Sequence, residues 1–106
     1  MALKPSMREK WRYISFKLEC EGSLSASEAK DGIEKGILRF IGELGASKAK
    51  PKVLEYDASK MEGIVRCENA GLPEVRAALA LISSIANRKC AVRTMKTSGT
   101  IARLEG

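Results

Sequence analysis

Between Trp11 and Glu21 the residues alternate in character. Ile14, Phe16, Leu18 and Cys20 fall on one side, and Tyr13, Ser15, Lys17 and Glu19 on the other. A period of two sustained over this length makes a strand that buries one face. Gly22 ends the run, and Ser25 with Glu28 three residues later has the spacing of a capping box, which satisfies free backbone N–H groups where a helix begins. A half-buried strand followed at once by a capped helix needs a layered architecture in which the two apolar surfaces meet.

The rest of the chain extends that pattern. Ala29, Ile33, Ile37, Phe40, Ile41 and Leu44 recur at steps of three and four, predicting one apolar helix stripe that stops at Gly45. Gly32, Gly36 and Gly42 lie inside this helix, where each costs up to about 1 kcal/mol relative to Ala, and close packing on a sheet accounts for them. A basic loop, Ser47 to Lys52, leads into two β-forming runs, Val53 to Asp57 and Gly63 to Glu68, separated by a turn-like stretch, so a hairpin is predicted. Leu72 to Ala86 reads as a second helix, with Pro73 in its first turn and Asn87 at its end. A last alternating run, Lys89 to Lys96, precedes the turn residues Ser98, Gly99 and Thr100.

The predicted order is βαββαβ. It defines an α+β, ferredoxin-like two-layer sandwich: a four-stranded antiparallel sheet with two helices on one face. At 106 residues the chain has room for one core, so residues 11–106 are read as a single domain and 1–10 as a basic tail. The longest uncharged run, Ala77 to Asn87, is far shorter than the roughly 20 apolar residues that cross a bilayer, and no secretory signal opens the chain. A soluble cytoplasmic protein is expected.

Composition removes several classes of chemistry. There is no histidine, which excludes His-ligated metals, Ser-His and Cys-His triads and histidine general bases. Cys20, Cys67 and Cys90 lack C-x-x-C spacing, and the reading preferred for them is three reduced, inward-facing thiols. Glu55, Asp57 and Glu62 lie in the hairpin and its turn with no histidine or cysteine beside them, so they read as solvated charge. No metal or cofactor is expected on the protein. An acylphosphatase-like hydrolase on the same fold would need a cation in the loop after the first strand, and Gly22-Ser23-Leu24 has none.

What remains is positive charge. Nineteen Lys and Arg against thirteen Asp and Glu give a net +6, concentrated at the two ends and in one loop. Lys48, Lys50 and Lys52 recur every second residue, and Arg93, Lys96 and Arg103 follow the last strand and tail, a density suited to phosphates. Ordinary solubility is the competing explanation. Ser98-Gly99-Thr100 could present backbone N–H groups to a phosphate or serve as a plain chain reversal. The sheet face without helices is predicted to carry Tyr13, Ser15, Lys17, Val53, Ile64, Arg66, Arg93 and Met95. Of these, Tyr13, Ile64, Arg66 and Met95 are assigned to protein contact or RNA stacking, as partner surfaces favour aromatic, Met and Arg side chains. Tyr13 and Trp11 are the candidate stacking platforms, but the third-strand stretch Glu62 to Cys67 has no aromatic residue, which disfavours single-strand base reading. A metabolite-binding or protein-interaction module without RNA is the alternative, and it would need no basic surface.

Several fragments together carry a resemblance. They are Arg12-Tyr13-Ile14, then Gly42-Glu43-Leu44-Gly45 running into Ala49-Lys50-Pro51, then Gly63-Ile64-Val65-Arg66-Cys67. Arg76 and Leu79 follow, then Val92-Arg93-Thr94 and Ser98-Gly99-Thr100-Ile101. In this order and spacing the chain resembles the archaeal ribonuclease P protein component 2 family, counterpart of a small eukaryotic Pop-type subunit, over nearly all of residues 11–104. The resemblance implies a fold related to the RNA-recognition motif and membership of the ribonucleoprotein that removes the 5′ leader from precursor tRNA. It implies that the RNA subunit and its Mg²⁺ perform the hydrolysis, with no catalytic residue in this chain. It also implies pairing with a TIM-barrel-like protein component 3, in a heterotetramer built around two copies of component 2. The chain departs from longer relatives by stopping soon after Leu104, without a basic C-terminal extension.

Overall fold

The computed structural model describes residues 10–101 and 104. Its elements are β1 (Trp11–Cys20), α1 (Ala26–Ala49), β2 (Lys52–Asp57), β3 (Glu62–Glu68), a 3-10 turn (Asn69–Gly71), α2 (Leu72–Leu81), β4 (Ser84–Ile85) and β5 (Arg88–Ser98). The sheet is antiparallel with order β2-β3-β1-β5-β4. It has five strands, not the four predicted. Most of residues 1–10, and Arg103, lie outside the described residues; Lys10 is within them, and its carbonyl accepts from the Asn69 N–H at 2.7 Å.

The β1 alternation holds as predicted. Ile14, Phe16 and Leu18 are buried with Val53, Val65 and Cys67 of the hairpin, Ile33 and Ile37 of α1, and Val75 and Leu79 of α2. One core therefore lies between the helices and one face of the sheet. The capping box at Ser25 and Glu28 is formed in both directions, by N–H of Glu28 to Ser25 Oγ at 3.2 Å and N–H of Ser25 to Glu28 Oε1 at 3.0 Å.

The long helix departs from expectation at its far end. It runs on to Ala49 rather than stopping at Gly45, but Gly42 within it is non-helical at φ 72° and ψ 176°. The apolar periodicity therefore loses its phase there, leaving Leu44 90% exposed; Phe40, ahead of the break, is itself 46% exposed, and neither enters the core. The predicted basic loop is mostly structured, with Lys48 in the last helical turn, Lys50 capping it in the left-handed region and Lys52 opening β2.

The second helix ends at Leu81, five residues before the predicted end. Ile82 is extended, and Ser84–Ile85 form β4, joined to β5 by Ala86 and Asn87, both at positive φ. That geometry is the two-residue hairpin turn suited to strand twist. Ile82 and Ile85 stay buried because they sit against the glycines of α1. A Cβ on Gly36 would stand 2.7 Å from Ile82 Cδ1, and one on Gly32 would collide with the Ile85 side chain. The interior glycines thus make room for these two isoleucines, with Gly42 serving the break instead.

The cysteines correct a further expectation. Cys20 and Cys90 are directly opposed in the β1–β5 register and form a disulfide across 70 residues of sequence, leaving Cys67 as the buried free thiol. Facing inward on neighbouring strands put the two sulfurs together, a pairing that sequence separation alone conceals.

Candidate nucleic-acid interface

Strand register decides what the helix-free face presents. Three transverse rows can be read across β2, β3, β1 and β5. The first is Lys52, Arg66, Tyr13 and Ser98. The second is Glu55, Ile64 and Ser15, with the irregular part of β5 around Met95 and Lys96 completing it. The third is Asp57, Glu62, Lys17 and Arg93. The face is therefore cationic and aromatic at one end, apolar in the middle and of mixed charge at the other.

Val53 does not belong to this face. It opposes Val65 in the core and is fully buried, because the register of β2 shifts between Val53 and Glu55 and reverses the alternation expected for a flat strand. Ile64 lies on the predicted face but is only 7% exposed, in a hollow lined also by Ser15, Glu55, Met95, Lys96 and Leu104. Ser15 is closed off too. Its hydroxyl accepts from the Lys96 N–H at 3.0 Å, across the shift in β1–β5 register. Met95 remains 48% exposed, so apolar contact in this row falls mainly to it.

In the first row the Arg66 guanidinium lies over the Trp11 ring, 4.1 Å from its centroid, while Arg66 Nε is buried without a hydrogen-bond partner. Lys52 is exposed directly opposite Arg66. Like charges so placed repel, and neither residue makes an ion pair among the described residues. Sequence reasoning had separated these two, giving Lys52 to phosphate and Arg66 to a partner or stacking face; the β2–β3 register joins them.

The other predicted residues divide. Lys48 and Lys50 end α1 just before Lys52, at the same end of the sheet. Ser98 stands opposite Tyr13, but its Oγ accepts from the Thr100 N–H at 3.2 Å, so Ser98-Gly99-Thr100 closes on itself as a chain reversal. Arg93 lies in the third row and is engaged by Glu19 at 3.1 Å, away from the first-row cations.

Of the hairpin carboxylates, Asp57 has a structural task. Asp57 Oδ1 accepts from the Ser59 hydroxyl at 2.6 Å, the Ser59 N–H at 2.9 Å and the Lys60 N–H at 3.3 Å, holding the β2–β3 turn; the Ser59 hydroxyl bond leads in drawing its pKa below the ordinary value. Burial pushes the Cys67 thiol up to about 11, so it stays protonated at neutral pH and is no nucleophile. No group of three potential ligands able to hold a metal occurs among the described residues, nor any helix long and apolar enough to cross a membrane.

The fold and the face together define a class: small α+β proteins whose antiparallel sheet is covered by helices on one side and exposes a partly basic surface on the other. The particular family follows from comparison. The Rpp14/Pop5 family model matches residues 12–106, and the chain belongs to that family. It is 39% identical over 103 residues to ribonuclease P protein component 2 of Pyrococcus furiosus, covering 97% of this chain and 86% of that one. The same protein of Thermococcus gammatolerans is 41% identical over the same shares, and that of Methanocaldococcus jannaschii is 36% identical over 95% of this chain and 74% of its own length. A chain in the cryo-EM structure of yeast ribonuclease MRP has a similar fold, with a TM-score of 0.67 at 12% identity, over 92% of this chain and 79% of that one.

Proposed function

We propose that this chain is a protein subunit of ribonuclease P, acting within the ribonucleoprotein that removes the 5′ leader from precursor tRNA. One observation carries the reading: identity near 40% to archaeal proteins named ribonuclease P protein component 2, extending over nearly the whole of both chains. A net charge of +6, with lysines clustered at one end of an uncovered sheet, supports contact with a polyanion. The sheet order, with β4 as a short addition at one edge, fits a ferredoxin-like arrangement related to RNA-recognition folds.

In this reading the RNA subunit and its Mg²⁺ carry out hydrolysis, and this chain contributes cationic support without bond-breaking groups of its own. A histidine-free sequence and a protonated Cys67 agree with that division of labour. The partners are the catalytic RNA, precursor tRNA within the complex, a TIM-barrel-like protein component 3 and a second copy of this chain, in the cytoplasm. Reconstitution tests it. Omitting this chain from the RNA and its partner protein should slow precursor-tRNA cleavage, and the chain alone should cleave nothing. Unchanged cleavage on omission, or hydrolysis by the chain alone, would refute the proposal.

A further inference from the structure

We infer that the first row of the uncovered face, Lys52, Arg66 and Tyr13 with Trp11 beneath the arginine, is a binding strip for an unpaired segment of RNA strand, phosphates seated on Lys52 and Arg66 and a base against Tyr13. The inference rests on the ribonucleoprotein reading and assigns the contact to a particular surface, one that keeps Lys52 of the expected phosphate patch, joins Arg66 to it and leaves out Arg93 and Lys96.

Three observations converge. Lys52 and Arg66 are directly opposed on adjacent strands. With no ion pair to either among the described residues, their repulsion is a standing cost that a bound anion removes. Next, the Trp11 ring holds the Arg66 guanidinium at 4.1 Å, which presets a planar donor fork and leaves less side-chain freedom to lose when phosphate binds. Finally, Tyr13 is partly exposed and opposed to Arg66 on the adjacent strand, with the two backbones one strand spacing, about 4.8 Å, apart. A phosphate and its own base can span neighbouring strands on that scale. A partner protein would meet these cations with carboxylates but would have less use for an arginine held over the Trp11 ring beside a partly exposed tyrosine; a nucleic-acid strand uses both the charge and the ring.

The chain carries its own reporter, because Trp11 is the single tryptophan. Titrating the full chain with fluorescein-labelled oligouridylate should give one saturating curve by anisotropy and the same curve by change in Trp11 emission. Lys52→Ala and Arg66→Lys, both checked for unaltered thermal unfolding, test the two features separately. Lys52→Ala should flatten the slope of log affinity against log salt by about 0.7, the value of one single-strand phosphate contact. Arg66→Lys keeps the charge, and so the slope, but should weaken binding several-fold and abolish the Trp11 response. Tyr13→Ala should weaken binding by about tenfold. If oligouridylate binds while Trp11 emission stays fixed and all three variants behave as wild type, the strip is wrong and the ribonuclease P reading survives. Variants that bind RNA normally but no longer associate with the partner protein would make this face a protein contact and equally overturn the inference.

Discussion

Individual side chains show how much chemistry the fold removes from a residue. The Cys67 thiol, buried and raised to about 11, has no exposed thiolate to offer, and Cys20 and Cys90 are bound to each other. Thiol titration of the native protein should therefore detect no rapidly reacting group. Denaturant without reductant should release one thiol, and denaturant after reduction three; a reactive thiol in the native protein would contradict this arrangement. Glu28 and Asp57 both have carboxyl pKa values below the ordinary range, Glu28 chiefly through the Ser25 backbone N–H and Asp57 chiefly through the Ser59 hydroxyl. Groups lowered on folding stabilise above their unfolded pKa, and that contribution is lost as pH falls through the folded values. Thermal melts should accordingly drop in acid below the ordinary carboxylate range, and Glu28→Gln, which keeps a capping side chain but cannot titrate, should flatten that drop. An identical acid profile in the variant would remove Glu28 from the account. The capping role was readable from Ser25 and Glu28 three apart. The disulfide was not, as two inward positions on β1 and β5 reveal their pairing only once the register is known.

Among the elements, legibility tracked how local the determinant is. Strand β1 and the start of α1 follow from neighbouring residues, by alternation and by a cap, and both stand as read. The end of α2 does not, because Ile82 and Ile85 fit a helix stripe and an extended segment equally well. The choice is made by distant Gly32 and Gly36, which open a groove in α1 for those branched side chains. Gly42 acts within its own helix. Its φ of 72° and ψ of 176° form a combination nearly confined to glycine, although a Cβ there would meet nothing within 4 Å. Gly42→Ala should thus cost about 1–3 kcal/mol through backbone conformation alone. Gly32→Ala should cost a similar amount by overpacking against Ile85. Chemical denaturation measures both, and a Gly42→Ala protein as stable as wild type would show that the break in α1 is not held by backbone preference.

For the whole molecule, the function was more legible than the surface that performs it. Charge density, a histidine-free composition and a series of short fragments pointed to a ribonucleoprotein subunit, and the family assignment agrees. The interface was harder, since the sequence groups Lys48, Lys52 and Arg93 as phosphate cations and sets Arg66 apart from them. Pairing between strands sets Lys52 beside Arg66 and sends Arg93 to Glu19. The outcome is a cationic edge beside an apolar hollow on the sheet face opposite α1 and α2, which on our proposal neutralises and orients a polyanion. If that is the chain's contribution, its most direct consequence is a reduced demand for counterions by the RNA. The decisive measurement is the Mg²⁺ concentration for half-maximal precursor-tRNA cleavage by the catalytic RNA and partner protein, with and without this chain. Our account predicts a lower midpoint when the chain is present, and a midpoint that does not move would contradict it.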